Sequence, residues 1–290
     1  MARVADWFSL VRFSHSVFAL PFALQGAWLA GRGRPPWSTL LWIVVCAVAA
    51  RTAAMGFNRL VDRDVDARNP RTARRELPAG VLGAGAVQAL VLLASAGFVL
   101  AAFQLNPLCG WLALPVLLVL LLYSLVKRVS WTAHLVLGVA LGLAPPAAWL
   151  AVRGAITSDV APVLVLALAV LTWVAGFDLI YACQDAGFDR EAGLYSIPAR
   201  FGVANALRVS ALLHVVTIGA LAAVGALAGL GWIWWSSVAL AALLLVWEHR
   251  LVAPDDLSRV NAAFFTINGW IGVGLFVGLV LDLHCVAGGG

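Results

Sequence analysis

Charge is what this sequence has least of. Only 11% of its 290 residues are Asp, Glu, Lys or Arg, against about 25% in a soluble globular domain. With 63% hydrophobic residues and a mean hydropathy of +0.96, that shortage excludes an ordinary water-soluble fold. Cysteine is also sparse: Cys46, Cys109, Cys183 and Cys285 show no CxxC spacing. This argues against a disulfide framework or a zinc site and for buried free thiols. Neither a nucleotide P-loop nor a dinucleotide fingerprint is present, and no nucleic-acid partner is expected.

What is there is hydrocarbon. Apolar runs of roughly 17 to 25 residues are long enough to cross a bilayer. Nine occur, at 14–31, 38–57, 81–104, 107–126, 132–152, 160–182, 207–230, 231–247 and 262–283, with the weakest division at Gly229–Gly231. Only helices or closed barrels satisfy their backbone in lipid, so the expected fold is an all-α polytopic bundle of about nine helices. The first run has the look of a signal peptide, but eight more follow it and a retained first helix is expected.

The few charges are unevenly placed. With the N-terminus inside, fifteen Lys/Arg fall on the inner side and only Arg32, Arg34 and Arg153 on the outer. The inner set includes Arg3, Arg12, Arg59, Arg63, Arg68, Arg71, Arg74, Arg75, Lys127 and Arg128. This positive-inside asymmetry predicts a cytoplasmic N-terminus and an outer C-terminus.

One polar stretch, 58–80, interrupts the hydrocarbon. Read as a helix continuing span two, it puts Asn58, Asp62 and Asp66 at i, i+4 and i+8, on one face and about 6 Å of rise apart. Like charges so stacked need a counter-charge. Mg²⁺ supplies one, because it is usually held by one or two carboxylates plus substrate phosphates. A second stretch, Asp178, Tyr181, Asp185 and Asp189, steps by three, four and four along one helical face after span six. Both stretches follow even-numbered spans and so share the cytoplasmic side. The recurrence four helices later suggests two related halves, roughly 1–130 and 131–290, facing each other across a cation-lined pocket above an apolar slot open to lipid.

Other residues carry two readings each. His15, in a first span that also holds Pro21 and Gln25, fits a substrate contact or an interior hydrogen bond. Arg51 lies two turns before Asn58 on the same face and about 10 Å deeper. An intramembrane arginine points to function, here an anionic group of a second substrate, or else to a structural ion pair. The loop arginines from Arg71 to Arg75 are partly topogenic charge. Lys127 and Arg128, after Tyr123, either snorkel or bind phosphate. In span five, Gly138 and Gly142, near His134, predict close helix contact, and Pro145–Pro146 a kink. Trp232, Trp234, Trp235 and Trp247 read as lipid-facing packing with an aromatic belt. The stretch from Glu248, His249 and Arg250 to Arg259 reads as a solvated connection.

Carboxylates paired across two helices among Arg and Lys are what a diphosphate ester requires. Metal neutralises the leaving group, and cations stabilise the charge developed as the C–O bond breaks. An electron-rich aromatic ring then captures the allylic cation. Over nearly its whole length the chain resembles the UbiA-type intramembrane prenyltransferases. Their first motif, Asn-x3-Asp-x3-Asp, is matched by Asn58, Asp62 and Asp66, continuing through Arg71, Thr72, Arg75, Leu77, Pro78 and Gly80. Their second, Asp-x2-Tyr-x3-Asp-x3-Asp, is matched by Asp178, Tyr181, Asp185 and Asp189, and Arg51 and Tyr123…Lys127-Arg128 also have counterparts. Position 59 departs from the pattern, with Arg59 where many members have Asp.

The resemblance implies roles. Asp62, Asp66, Asp185 and Asp189 would hold Mg²⁺ and the diphosphate, supported by Asn58, while Arg63, Lys127 and Arg128 bind phosphate oxygens and Arg59 lies near them. Asp178 would activate or deprotonate the acceptor, Arg51 would meet its carboxylate, and Tyr123 and Tyr181 would belong to the substrate site. The segments 18–24 and 56–59 resemble bacterial 4-hydroxybenzoate polyprenyltransferases and equally their menaquinone-pathway relatives acting on 1,4-dihydroxy-6-naphthoate. A polyprenyl diphosphate, an aromatic acid and membrane lipid are thus the implied partners, in a bacterial cytoplasmic membrane with the site facing the cytoplasm. Two other classes compete. An ion-coupled transporter would place its charges near the midplane in broken helices, but here they gather at one face. A structural scaffold leaves both carboxylate stripes unexplained.

Overall fold

Asn69 and Pro70 end the longest helix of the chain. In the computed structural model, which describes residues 3–11 and 16–285 (for 16–19 the backbone only), this helix runs unbroken from Trp37 to Arg68. Its 32 residues span about 48 Å, well beyond the roughly 30 Å of a hydrocarbon core. The polar stripe therefore continues the helix beyond the apolar part. His15 and Arg12 lie outside the described residues.

In chain order the helices are α1 (Val4–Leu10), α2 (Ser16–Ala30), α3 (Trp37–Arg68), α4 (Ala84–Leu105), α5 (Pro107–Val126), α6 (Ala133–Gly142) and α7 (Ala144–Arg153). They continue with α8 (Ala161–Ala182), α9 (Ala186–Glu191), α10 (Ile197–Phe201), α11 (Val203–Ala228), α12 (Trp232–Arg250) and α13 (Asn268–Cys285). Among the described residues there is no strand, and eight helical segments are long and apolar enough to span a membrane. The described apolar part of α2, Leu20–Ala30, is shorter than these eight. The weak division near Gly229 is a real break, since Gly229 takes φ +63° and caps α11 in the left-handed region that glycine adopts without strain.

The bundle is built around α8, whose Leu166, Val170, Trp173 and Val174 are almost completely buried. Glycines bring its neighbours close. A Cβ on Gly138 would lie 2.4 Å from the Leu171 carbonyl oxygen, and one on Gly142 2.9 Å from that of Ala167. So α6 rests backbone against backbone on α8. At Leu143 the helix breaks into α7, where Pro145 and Pro146 occupy positions whose N–H groups have no helical acceptor.

Three expectations need correction. The second polar stripe does not lie on one continuous helix: the chain tightens into a 3-10 turn at Cys183–Asp185 before α9 resumes. Glu248 is not solvated but fully buried within α12, accepting a 2.9 Å bond from Asn268 Nδ2, while Asn268 Oδ1 accepts from Trp173 Nε1 at 2.7 Å. Asn268 thus links Glu248 of α12 to Trp173 of α8 and satisfies Glu248 Oε1, while Glu248 Oε2 is buried with no hydrogen-bond partner among the described residues. Trp234 is core rather than lipid-facing, unlike the exposed Trp232 and Trp247. At the opposite end of the bundle from the charged loops, buried Asp282 of α13 accepts the backbone N–H groups of Gly231 (2.7 Å) and Trp234 (2.9 Å), capping α12 from outside its own sequence.

Candidate active site: a carboxylate and arginine cluster over an apolar cavity

The i, i+4, i+8 stripe of α3 faces inward, and Asp62 and Asp66 are both buried. Asp62 Oδ2 accepts from Asn58 Nδ2 at 3.1 Å and pairs with Lys127 Nζ, the one lysine of the chain, at 2.8 Å. Arg128 lies 3.4 Å from Asp62 Oδ1 and donates to the Val61 carbonyl oxygen at 2.6 Å. One turn on, both Asp66 oxygens accept from Arg75 Nη1 at 2.8 Å, and buried Arg59 approaches to 3.9 Å. Arg59 thus sits among the carboxylates as a counter-charge.

The loop after α3 reaches across to α8. Asn69 Nδ2 donates to Asp185 Oδ1 at 3.0 Å, and Arg71 grips both Asp185 oxygens while donating to the Tyr181 hydroxyl at 2.8 Å. The Arg71 guanidinium also lies 5.1 Å from the centre of the Tyr181 ring. Burial lowers this guanidinium's hold on its proton, but the bonds to Asp185 and Tyr181 outweigh burial and keep it above its ordinary value. These cross-links hold Asp185 at the 3-10 turn. Asp189, half-buried on α9, is within electrostatic reach of Asp185, Lys127 and His134. The backbone N–H of Tyr195 closes the rim by donating to the Lys127 carbonyl oxygen at 2.7 Å.

Below this cluster lies a cavity of about 460 Å³. Its walls are apolar side chains of α2 to α8 with Phe264 from the π-helical turn Ala262–Ile267, and its polar groups are Arg51, Tyr123 and Asp178. Each of the three stands one or two turns deeper on its helix than a cluster residue: Arg51 below Asn58, Tyr123 below Lys127, Asp178 below Tyr181. Val48 and Leu112, both partly exposed on the outside of the bundle, also line the cavity, so it reaches the lipid-facing surface.

Of the residues expected from sequence, Asn58, Asp62, Asp66, Lys127, Arg128, Tyr181 and Asp185 are brought together at the cluster, with Asp189 beside it, and Arg51, Tyr123 and Asp178 at the cavity. Arg63 does not join them: it is exposed and pairs with its neighbour Asp64 at 3.2 Å. Residues the sequence reading left without a site role are Asn69, Arg71 and Arg75, which hold the carboxylates, and His134, bonded to Asp178 at 2.7 Å. The signal for the loop residues was an excess of arginine over what topology needs; for His134 it was an imidazole inside an apolar run.

A family model described as the UbiA prenyltransferase family matches residues 19–270. The chain belongs to the UbiA prenyltransferase family. It is 33% identical over 263 residues to a 4-hydroxybenzoate octaprenyltransferase of Aromatoleum aromaticum, covering 89% of this chain and 86% of that one. It is 35% identical over 261 residues to the protein of the same name from Tolumonas auensis, covering 89% and 88%. Among solved structures, the apo form of a UbiA homologue from Aeropyrum pernix K1 superposes with a TM-score of 0.84 at 34% identity, covering 92% of this chain and 98% of that one. A UbiA homologue from Archaeoglobus fulgidus, bound to DMAPP and Mg²⁺, shares the fold with a TM-score of 0.73 at 18% identity, covering 97% and 100%. This protein is therefore an integral membrane prenyltransferase of UbiA architecture.

Proposed function

We propose that the protein transfers a polyprenyl group from an allylic polyprenyl diphosphate to a ring carbon of 4-hydroxybenzoate, in ubiquinone synthesis, with Mg²⁺ and release of diphosphate. The observation that carries this reading is the stacking of two chemically different compartments along the same helices. A cluster of carboxylates, two of them the buried Asp62 and Asp66, and of partly exposed cations lies at the end of the bundle, and an apolar cavity bearing Arg51, Tyr123 and Asp178 lies directly beneath it. The names of the relatives from Aromatoleum aromaticum and Tolumonas auensis support the benzoate acceptor and an octaprenyl-length tail.

The donor set fits Mg²⁺. Among the described residues no three His, Cys, Asp or Glu side chains converge as a ready-made cage, which suits an ion that takes one or two carboxylates and completes its shell with substrate phosphates and water. Asp62 and Asp66 on α3, with Asp185 and Asp189 beyond the end of α8, would hold it, and Asn58 supports Asp62. Bound there, Mg²⁺ would neutralise the diphosphate and ease its departure.

The chain's own residues do the rest. Lys127, Arg128, Arg71 and Arg75 exchange their carboxylate partners for phosphate oxygens and stabilise the charge that collects on the leaving group as the allylic C–O bond breaks. The diphosphate departs with the electron pair of that bond. The apolar walls exclude the water that would otherwise capture the allylic cation. Arg51 takes the acceptor carboxylate and turns the ring toward the reacting carbon. As the new C–C bond forms, the ring carbon loses its proton to Asp178. A volume of about 460 Å³ is that of a drug-sized ligand site. It holds the acceptor and the first isoprene units, and the remaining tail lies in lipid past Val48 and Leu112. The fifteen basic residues that the sequence assigns to the inner side support a cytoplasmic site and N-terminus, in the cytoplasmic membrane of a bacterium. The recurrence of the polar motif supports a two-half origin of the domain.

The test is turnover of purified protein with octaprenyl diphosphate and Mg²⁺, offering 4-hydroxybenzoate and 1,4-dihydroxy-6-naphthoate in parallel. Prenylated benzoate with stoichiometric diphosphate is the expected result. Reaction of the naphthoate alone overturns the acceptor, and no diphosphate release from either overturns the reaction.

A further inference from the structure

The expected close contact of span five turns out to carry a polar pair at its end. On α6, His134, Gly138 and Gly142 stand at i, i+4 and i+8, so they share one face. That face meets α8 at three levels. Gly142 lies against the Ala167 carbonyl, Gly138 against that of Leu171, and His134 Nδ1 against Asp178 Oδ2 at 2.7 Å. The two backbone contacts leave no room for α6 to slide, so the distance between imidazole and carboxylate is set by the packing of the helices rather than by flexible side chains.

The roles in this pair follow from burial. The His134 side chain is 6% exposed and that of Asp178 24%, and Asp178 but not His134 lines the cavity. His134 Nε2 is shut off from water and has no hydrogen-bond partner among the described residues. An ionised carboxylate accepts only, so Nδ1 carries a proton and donates it to Asp178 Oδ2. One oxygen of Asp178 is thereby occupied. The other oxygen, Oδ1, has no hydrogen-bond partner among the described residues, and Asp178 lines the cavity.

We propose that His134 is the positioning residue of Asp178: it fixes the carboxylate's rotamer so that Oδ1 alone meets the proton leaving the acceptor ring. The inference rests on the reading of Asp178 as the base. In balance, the ring carbon gains the prenyl carbon and gives up H⁺ to Oδ1, Asp178 becomes a neutral carboxylic acid, and Nδ1–H keeps its bond to Oδ2 until the proton passes to solvent. His134 touches neither substrate and gains no proton.

The test compares His134→Ala, His134→Asn and His134→Gln in the full-length protein, with 4-hydroxybenzoate carrying either H or D at ring carbons 3 and 5. Asn places an amide N–H at the same number of bonds from Cβ as Nδ1, whereas Gln places it one methylene farther. His134→Ala is expected to lower kcat about tenfold, a part of the roughly 10²–10⁴-fold that a positioned base contributes, with KM for the prenyl diphosphate unchanged. A deuterium effect on kcat should emerge as proton removal becomes slow. His134→Asn should restore both values toward those of the parent, and His134→Gln should not. Equal kcat in the Asn and Gln variants overturns the proposal, as does a His134→Ala enzyme with unchanged kcat and no isotope effect. If His134→Ala does not fold, the Asn and Gln pair decides the matter alone. Asp178→Asn separates the two readings: full activity there removes Asp178 as the base, whereas an inactive Asp178→Asn beside an unaffected His134→Ala removes only the role of His134.

Discussion

Lys127 Nζ lies 2.8 Å from Asp62 Oδ2, and Arg128 lies 3.4 Å from the other oxygen of the same carboxylate. Two cations from the α5–α6 connection therefore share one buried acid of α3. Asp62→Asn leaves both cations without that acid and removes one oxygen donor. Turnover is expected to fall by at least about 10²-fold, the loss typical of a removed electrostatic stabiliser. Mg²⁺ titration should lose its saturable response, while circular dichroism stays helical. Full activity in this variant would remove Asp62 from the metal site.

Arg71 binds Asp185 with a two-pronged guanidinium and reaches Tyr181 with a third N–H. Lysine carries the charge but not the fork. Arg71→Lys is accordingly expected to behave like Arg71→Ala, both raising KM for the prenyl diphosphate by about tenfold, the equivalent of one charge-assisted bond. Recovery of the parental KM in the lysine variant would show that charge alone is used.

Arg51 stands in the cavity with Asp178 and Tyr123, two turns from the cluster. Arg51→Ala should raise KM for 4-hydroxybenzoate about tenfold or more and change that for the prenyl diphosphate little. The opposite split would move Arg51 to the diphosphate.

Gly138 has no space for a side chain. Gly138→Ala forces α6 off the Leu171 carbonyl and is expected to cost about 1–3 kcal/mol, as overpacking does, read as a lowered Tm in detergent. An unchanged Tm would mean that the α6–α8 contact yields without cost.

The parts legible in the sequence were those that repeat with the helix. The stripe Asn58, Asp62, Asp66 could be placed on one inward face by counting alone, because α3 runs without interruption through it. Counting does not separate Arg63, to which the resemblance gives a phosphate role, from Arg59 one turn earlier on the same side: the structure has Arg63 exposed beside Asp64 and Arg59 buried 3.9 Å from Asp66. What counting cannot supply is contact between distant segments. The 3-10 turn at Asp185 is accompanied by partners 114 and 116 residues earlier, Arg71 and Asn69. Glu248 reads as surface charge until Asn268 is brought beside it from the next helix, and Trp234 is one of three tryptophans within four residues that only packing distinguishes.

The length of α3 has a consequence for how substrate is delivered. Its polar end extends beyond the apolar part of the helix, while the cavity beneath opens sideways past Val48 and Leu112. A prenyl diphosphate dissolved in a leaflet already floats with its phosphates at the surface and its tail among acyl chains, so it can enter by lateral diffusion without leaving the membrane or turning over. The relevant concentration is then a mole fraction in a two-dimensional solvent. Diluting the enzyme with more detergent or lipid at constant total prenyl diphosphate should slow the reaction as if that substrate had been withdrawn. The water-borne aromatic acid, which enters from the other phase, should be indifferent to the same dilution.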